Sequence, residues 1–241
     1  MPARVIVGNG DWTDAEPAAS RPARYDFHAH TYLTDGQSSA TDMWRHSDRL
    51  LHRAQAITDH LSLEDPAPLL ARLHQEARAW EGSPLVTLVG VEISMVPPRR
   101  IADVARAARR AGAEIVIVHG ETPVEPVPEG TNRAALEAPE VDLLAHPGLL
   151  TEADATLARD HAKVLELSAR RGHSLCNGRV AQRALAASVD LVVDSDAHSP
   201  EQLVTHEMAQ RIAAGAGLGV AEVGRALEDG PERLLRRCGK R

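Results

Sequence analysis

Seven short apolar runs, separated by longer stretches with helical spacing, set the main constraint on how this chain can fold. The runs cover residues 25–27, 54–57, 85–91, 114–118, 141–144, 164–167 and 191–193, and most are rich in leucine or β-branched residues. Strands buried on both faces have that composition. Between and after them, residues 40–52, 66–80, 98–111, 151–161, 179–187, 200–214 and 220–227 carry apolar side chains at helical intervals. The third of these helices has Pro98 in its first turn and stops at Gly112, a good start and stop pair. A βα unit repeated about seven times implies a parallel sheet with helices outside it. Residues 1–23 are rich in Ala, Pro, Asp and Gly and lack the rhythm. They read as an N-terminal extension ahead of a single domain over residues 24–241.

Such a series can be an open doubly wound sheet or a closed barrel. No glycine-rich nucleotide fingerprint follows any run; the nearest, Gly8-Asn9-Gly10, sits in the extension. The histidines decide the matter. The chain has 12, and many stand at the C-terminal ends of the apolar runs. The first run leads into Asp26-Phe27-His28-Ala29-His30, with Asp35 beyond, and the second into Thr58-Asp59-His60. The next three give Gly90-Val91-Glu92, His119-Gly120-Glu121 and His146-Pro147-Gly148. The sixth ends at Glu166, and the seventh at Asp194-Ser195-Asp196-Ala197-His198. In a βα barrel these ends converge on one mouth, where active sites sit. The fold class expected is α/β, a seven-stranded TIM-like barrel. Imidazoles and carboxylates gathered there suit Zn, Mn or Fe, and a carboxylate can bridge two ions. Alternation puts His28 and His30 on one side of an extended segment, and likewise Asp196 and His198. His46, His52, His74, His161 and His206 fall within helical patterns and are assigned no chemistry.

Composition narrows the partners. The formal net charge is −7, and three Trp, two Tyr and one Phe are the whole aromatic complement. Neither favours a broad nucleic-acid face. No apolar run approaches the ~20 residues that span a bilayer. The first 20 residues lack the apolar core of a signal peptide, and two cysteines make no disulfide framework. A soluble, cytoplasmic protein is expected, with no membrane partner.

As a set, DFHAH followed by Thr31 and Asp35-Gly36, then TDH, GVE, VHG, AHPG and SDAH, resemble the PHP domain, the polymerase and histidinol phosphatase family. HGETPVEPV, the GTN that follows it, and ARRGHS with a nearby NG resemble its small stand-alone histidinol-phosphatase-related members. The resemblance runs from residue 24 to about residue 205 and leaves about 35 C-terminal residues outside the shared barrel. It implies a distorted seven-stranded (β/α)7 barrel holding two or three divalent ions at the mouth. His28, His30, Glu92 and Asp196 would hold the first, Glu92 would bridge to a second held with His119 and His146, and His60 and His198 would hold a third. Asp35 lies where some members place another ligand for that third ion.

Such a cluster suits phosphoester hydrolysis by metal-activated hydroxide, with no protein nucleophile. The residues expected to carry the reaction are Glu92, Asp196 and His198. Asp26, one step deeper on the first strand, is expected to orient ligands from below. Asp59 and Glu121 are candidates to fix the tautomers of His60 and His119, and Glu166 is a weaker candidate for contact with metal. Arg170, Arg171 and His173 follow the sixth strand and are the candidates for gripping phosphate. The expected activity is that of a phosphatase on a small phosphomonoester. The alternatives are a PHP-type exonuclease or cyclic-phosphate esterase, a non-catalytic metal-stabilised module and a metal-dependent amidohydrolase.

Overall fold

In the computed structural model, which describes residues 24–240, eight short parallel strands form a nearly closed barrel of seven staves. The expected extension over residues 1–23 lies outside the described residues. The strands are β1 (Tyr25–Asp26), β2 (Ala54–Ile57), β3 (His60–Leu61), β4 (Val86–Ile93), β5 (Ile115–His119), β6 (Leu143–Ala145), β7 (Val164–Ser168) and β8 (Leu191–Asp194). They lie in the order β1-β2-β4-β5-β6-β7-β8, with β3 also paired to β4. β2 and β3 are two halves of one stave. β2 follows β4 from Ala54↔Val86 to Ile57↔Val89, and β3 rejoins it at His60↔Glu92.

Between β1 and β8 the backbone ladder shrinks to one bridge, Ala29↔Ala197. Side chains close the seam instead. Asp194 Oδ1 accepts from the Phe27 amide at 2.7 Å, and Asp26 Oδ1 accepts from the Ser195 amide at 3.0 Å. The buried Arg24 guanidinium donates to the carbonyls of Tyr25, Val193 and Val204 and to Asp26. Asp26 therefore fixes the seam below the mouth and is not itself among the converging donor groups.

The helices are α1 (Ala40–Arg49), α2 (Ala67–Ala77), α3 (Ile101–Arg110), α4 (Thr131–Glu137), α5 (Glu152–Asp160), α6 (Asn177–Ala187), α7 (His206–Gly215), α8 (Val220–Gly224) and α9 (Gly230–Arg237). Their starts follow local chemistry. Ser39 caps α1 by accepting from the Asp42 amide, and Thr151 and Asp154 form a reciprocal capping box on α5. Met43 and Trp44 of α1 are fully buried, and the Trp44 indole donates to the Gln55 carbonyl. That bond satisfies the one polar atom of a large apolar side chain.

Three expectations change. α4 was not expected; it has seven residues and opens at Gly130 in a left-handed conformation without a capping side chain. The helix expected over residues 200–214 is broken, because α7 starts only at His206, where Thr205 caps the Met208 amide. The end of the chain also belongs to the barrel. After a π-helical turn, Arg225–Asp229, α9 inserts Leu234 and Leu235 into the inner core beside Phe27, Leu88, Ile117 and Val192. Gly230 permits this approach, since a Cβ there would meet the Leu191 carbonyl at 2.7 Å. Among the described residues no helix is long and apolar enough to cross a membrane.

Candidate metal centre

Nine of the donors named from the sequence, His28, His30, Asp35, His60, Glu92, His119, His146, Asp196 and His198, reach one mouth. His28 and His30 lie side by side with their Nε2 atoms 3.0 Å apart. Glu92, near the end of β4, sits at the centre. Its Oε1 is 3.4 Å from His28 Nε2, from His119 Nδ1 and from His146 Nε2. Its Oε2 is 2.8 Å from His60 Nδ1 and 3.6 Å from His30 Nε2. Asp196 faces it, with Oδ1 3.4 Å from His30 and 3.7 Å from His28, and Oδ2 3.7 Å from His146. At the outer edge Asp35 Oδ2 is 3.0 Å from His198 Nε2 and 3.4 Å from His60 Nε2.

These spacings can be tested against an ion. Ligands about 2.0–2.1 Å from a tetrahedral metal stand about 3.3 Å from one another. Among the described residues, four groups of donor atoms are compact enough to surround one ion: Glu92-His119-His146, His28-His30-Glu92, His28-His146-Asp196 and His30-Asp35-His60-His198. His28, His30, His146 and Glu92 each fall in two of them. Glu92 Oε1, His30 Nδ1 and His146 Nδ1 are buried with no hydrogen-bond partner. Buried polar atoms are rarely left so. Imidazole nitrogens that face one unsatisfied carboxylate oxygen at 3.4 Å, His28 on one side and His119 with His146 on the other, fit cations between them.

Electrostatics points the same way. Burial alone would protonate Glu92, yet the surrounding histidines hold its carboxyl well below the usual range. Burial would likewise neutralise His28, but Asp196, Glu92 and Glu166 outweigh it and hold its pKa well above normal. His60 is raised to about 10, with Glu92 and Asp35 overcoming its burial. His30 goes the other way, pushed by burial down to about 4. Protons on histidines thus balance the buried carboxylates, the charge that a divalent cation would supply.

Two of these donor positions carry backbone strain. His146 (φ 26°) and Asp196 (φ 51°) lie in the left-handed region, which persists in non-glycine residues where surroundings impose it, often at functional sites.

The supporting groups differ from those expected. Asp59 does not touch the His60 ring; it accepts from the Thr31 amide and from the Thr31 and Thr34 hydroxyls, pinning the loop that carries Asp35. His60 Nδ1 is met by Ser94 Oγ at 2.7 Å. Glu121 accepts from the Gly130 and Asn132 amides rather than from His119. Glu166 is the carboxylate behind a histidine, its Oε2 2.8 Å from His28 Nδ1. It fixes which ring nitrogen of His28 faces the centre. Ser94 could have been found two residues beyond Glu92, on the same face of the strand; Glu166 could not be told from a core acid.

Of the three phosphate candidates, two reach the mouth. Arg170 Nη1 contacts the His198 ring and lies 3.5 Å from Asp196 Oδ1. His173 is buried, stacks on His146 at 4.2 Å, and meets Thr122 Oγ1 through Nδ1 at 3.0 Å. Arg171 is exposed and makes no contact with these groups. Glu125, unnoticed in the sequence, lies 3.5 Å from His173 Nε2 and 4.0 Å from Arg170.

No family model matches the chain. It is 38% identical over 218 residues to the uncharacterized protein MJ1295 of Methanocaldococcus jannaschii, across 89% of this chain and 99% of that protein. The chain belongs to the family of that protein. It is also 26% identical over 232 residues to ribonuclease P protein component 3 of Methanosarcina barkeri, across 90% of each. Among solved structures, a chain of archaeal ribonuclease P with mature tRNA is similar with a TM-score of 0.65 and 16% identity, over 90% of each chain. Histidinol phosphate phosphatase of Lactococcus lactis, complexed with zinc, L-histidinol and phosphate, is similar with a TM-score of 0.53 and 12% identity, over 91% of this chain and 95% of that one. These two likenesses show a shared fold.

Proposed function

We propose that the chain is a PHP-type, metal-dependent phosphoesterase that hydrolyses a small phosphomonoester. The observation that carries this reading is the buried, unsatisfied Glu92 Oε1 with three histidine nitrogens around it. The fold shared with a zinc-complexed histidinol phosphate phosphatase supports it, as do the motifs that resemble the histidinol-phosphatase-related subgroup. His28, His30, Glu92 and Asp196 would hold one ion, Glu92, His119 and His146 a second, and Asp35, His60 and His198 a third. When bound, such ions supply Lewis acidity, bringing the pKa of water towards neutrality and taking up charge on phosphoryl oxygens.

The chain's own residues do the rest. Glu166 orients His28 and Ser94 orients His60. Arg170 presents a guanidinium beside Asp196 and His198 and would hold a phosphoryl oxygen by a charge-assisted hydrogen bond. His173 has a pKa pushed by burial and by neighbouring His146 down to about 4, so at neutral pH it is an uncharged hydrogen-bonding group. The partner of this site is a small phosphorylated metabolite, and the setting that suits it is the cytoplasm.

The likeness to a ribonuclease P component favours a second reading, in which the same mouth serves RNA. One experiment separates them. Metal-loaded protein is assayed against a panel of phosphomonoesters, histidinol phosphate included, and against RNA and single-stranded DNA oligonucleotides. Faster turnover of the monoesters is expected. Faster cleavage of oligonucleotides, abolished in Asp196→Asn so that a contaminant is excluded, would overturn the phosphatase reading.

A further inference from the structure

His119 ends β5 and His146 stands one residue past β6, and the ladder between them runs from His119↔Ala145 to the Gly120 amide, which donates to the Ala145 carbonyl at 3.1 Å. Beyond that bond one buried amide continues the tie between the two loops. Asn132, in the first turn of α4, is 4% exposed. Its Oδ1 accepts from the Glu121 amide at 2.9 Å, two residues beyond His119, and its Nδ2 donates to the Pro147 carbonyl at 2.8 Å, one residue beyond His146. Glu121 returns the contact. Its Oε1 accepts from the Gly130 and Asn132 amides, each at 3.0 Å, and so anchors the start of α4 against the β5 loop.

The two loops are pressed together where the amide joins them. Gly120 lies against the Ala145 carbonyl and Gly148, at φ 67°, against the Glu121 carbonyl, and a Cβ at either would collide with that backbone. His146 itself holds a strained φ of 26°. A strained ligand backbone relaxes unless its neighbours over-determine it, and the carbonyl directly after it is the one Asn132 holds.

We propose that Asn132 and Glu121 are positioning residues that hold the backbone directly beyond His119 and His146, and with it the placement of the two rings, for the ion these share with Glu92. The inference rests on reading the mouth as a metal centre. Both ends of the amide are needed: one group must accept from a backbone N–H and the other must donate to a carbonyl. An aspartate supplies two acceptors and faces the Pro147 carbonyl with the wrong polarity. A glutamine at 121 keeps the accepting oxygen.

The test measures bound metal equivalents, and zinc affinity by competition with a chromophoric chelator, in the full chain. The metal-free melting temperature is recorded beside them. Asn132→Asp is expected to weaken the affinity of one ion about 10- to 100-fold, the range for groups that orient ligands, while the remaining equivalents keep wild-type affinity. Glu121→Gln is expected to hold metal as the wild type does. A folded Asn132→Asp protein with wild-type affinity at every equivalent would overturn the proposal, as would a lowered melting temperature with no change in affinity. Should Asn132→Asp fail to fold, Glu121→Ala, which releases α4 but leaves the amide in place, is read by the same criteria. A wild-type chain that binds no zinc overturns both this proposal and the metal reading beneath it, whereas normal binding with an unaffected Asn132→Asp removes this proposal alone.

Discussion

The floor of the barrel and its mouth both bury charged groups, and they treat them in opposite ways. At the floor Lys163 points Nζ at the carbonyls of Ala138 and Val141, each at 2.6 Å, and of Pro139 at 3.4 Å. Arg109 donates to the carbonyls of Ala113, Glu114 and Glu140 and to the Asp142 carboxylate. Arg24 has four acceptors of its own. At the mouth, Glu92 Oε1 and the Nδ1 atoms of His30 and His146 have none. A buried charge whose hydrogen bonds are complete belongs to the fold. One whose donors or acceptors are left facing each other marks where a ligand belongs.

The sharpest way to break this contrast is to remove a mouth carboxylate. Asp196→Asn is expected to lower kcat by about three orders of magnitude or more, because it changes the charge balance around the reacting group. Glu92→Gln should also lose more than one metal equivalent, since its two oxygens face different histidines. Arg109→Met at the floor should destabilise the fold yet leave metal stoichiometry untouched. Full metal retention by Glu92→Gln, read by elemental analysis, would remove its bridging role.

Cations held by donors from six staves and their loops should tie folding to occupancy. Metal that binds the native barrel and not the unfolded chain adds about 4 kcal/mol at a free concentration 1,000 times Kd. Chelation should therefore lower the melting temperature of the whole transition. An unchanged melting curve after verified metal removal would show the mouth to be as self-sufficient as the floor.

The floor has a pH signature of its own. Burial lowers the Lys163 pKa from 10.5 to about 8. Above pH 8 the folded chain has given up that proton while the unfolded chain still binds it. Stability from this group therefore rises with pH between about 8 and 10.5, and below pH 8 the burial penalty is present in full. Relative to Lys163→Met, the wild type should gain stability across that window. Denaturant midpoints at pH 7, 9 and 10.5 measure it, and a constant difference between the two proteins would contradict the shift.

The parts of this legible in the sequence are those set by local pattern. Strand runs are apolar and short, and a donor group falls at or soon after the end of each, so β4 and Glu92, or β5 and His119, could be read in register. Reading stopped where long-range packing decides. α4 is too short and alanine-rich to show a period. The Leu234–Leu235 pair of α9 looks like any amphipathic surface turn until the barrel floor is seen to need a plug. Asp59, Glu121 and Glu166 are equivalent as sequence, each an acid beside a ligand or at a strand end. Only the fold separates a loop pin, a helix anchor and a partner for His28.

The smallest effect tests the contrast within the mouth itself. Arg170 and Arg171 are adjacent, and the sequence gives no reason to prefer either. The fold does: Arg170 turns inward to His198 and Asp196, whereas Arg171 stays exposed. A guanidinium that meets a phosphoryl oxygen in a partly buried mouth makes a charge-assisted bond worth about 1.5–3 kcal/mol. Arg170→Ala should then raise KM for the phosphomonoester about tenfold or more, with a smaller change in kcat if the bond is equally strong in ground and transition states. Arg171→Ala should change KM less than about twofold, as expected for a solvated surface charge. Arg170→Lys should recover only part of the loss, because an ammonium keeps the charge but not the planar fork. Equal effects at the two positions, measured on one metal-loaded preparation of each variant, would show that Arg170 faces the ligands without facing the substrate.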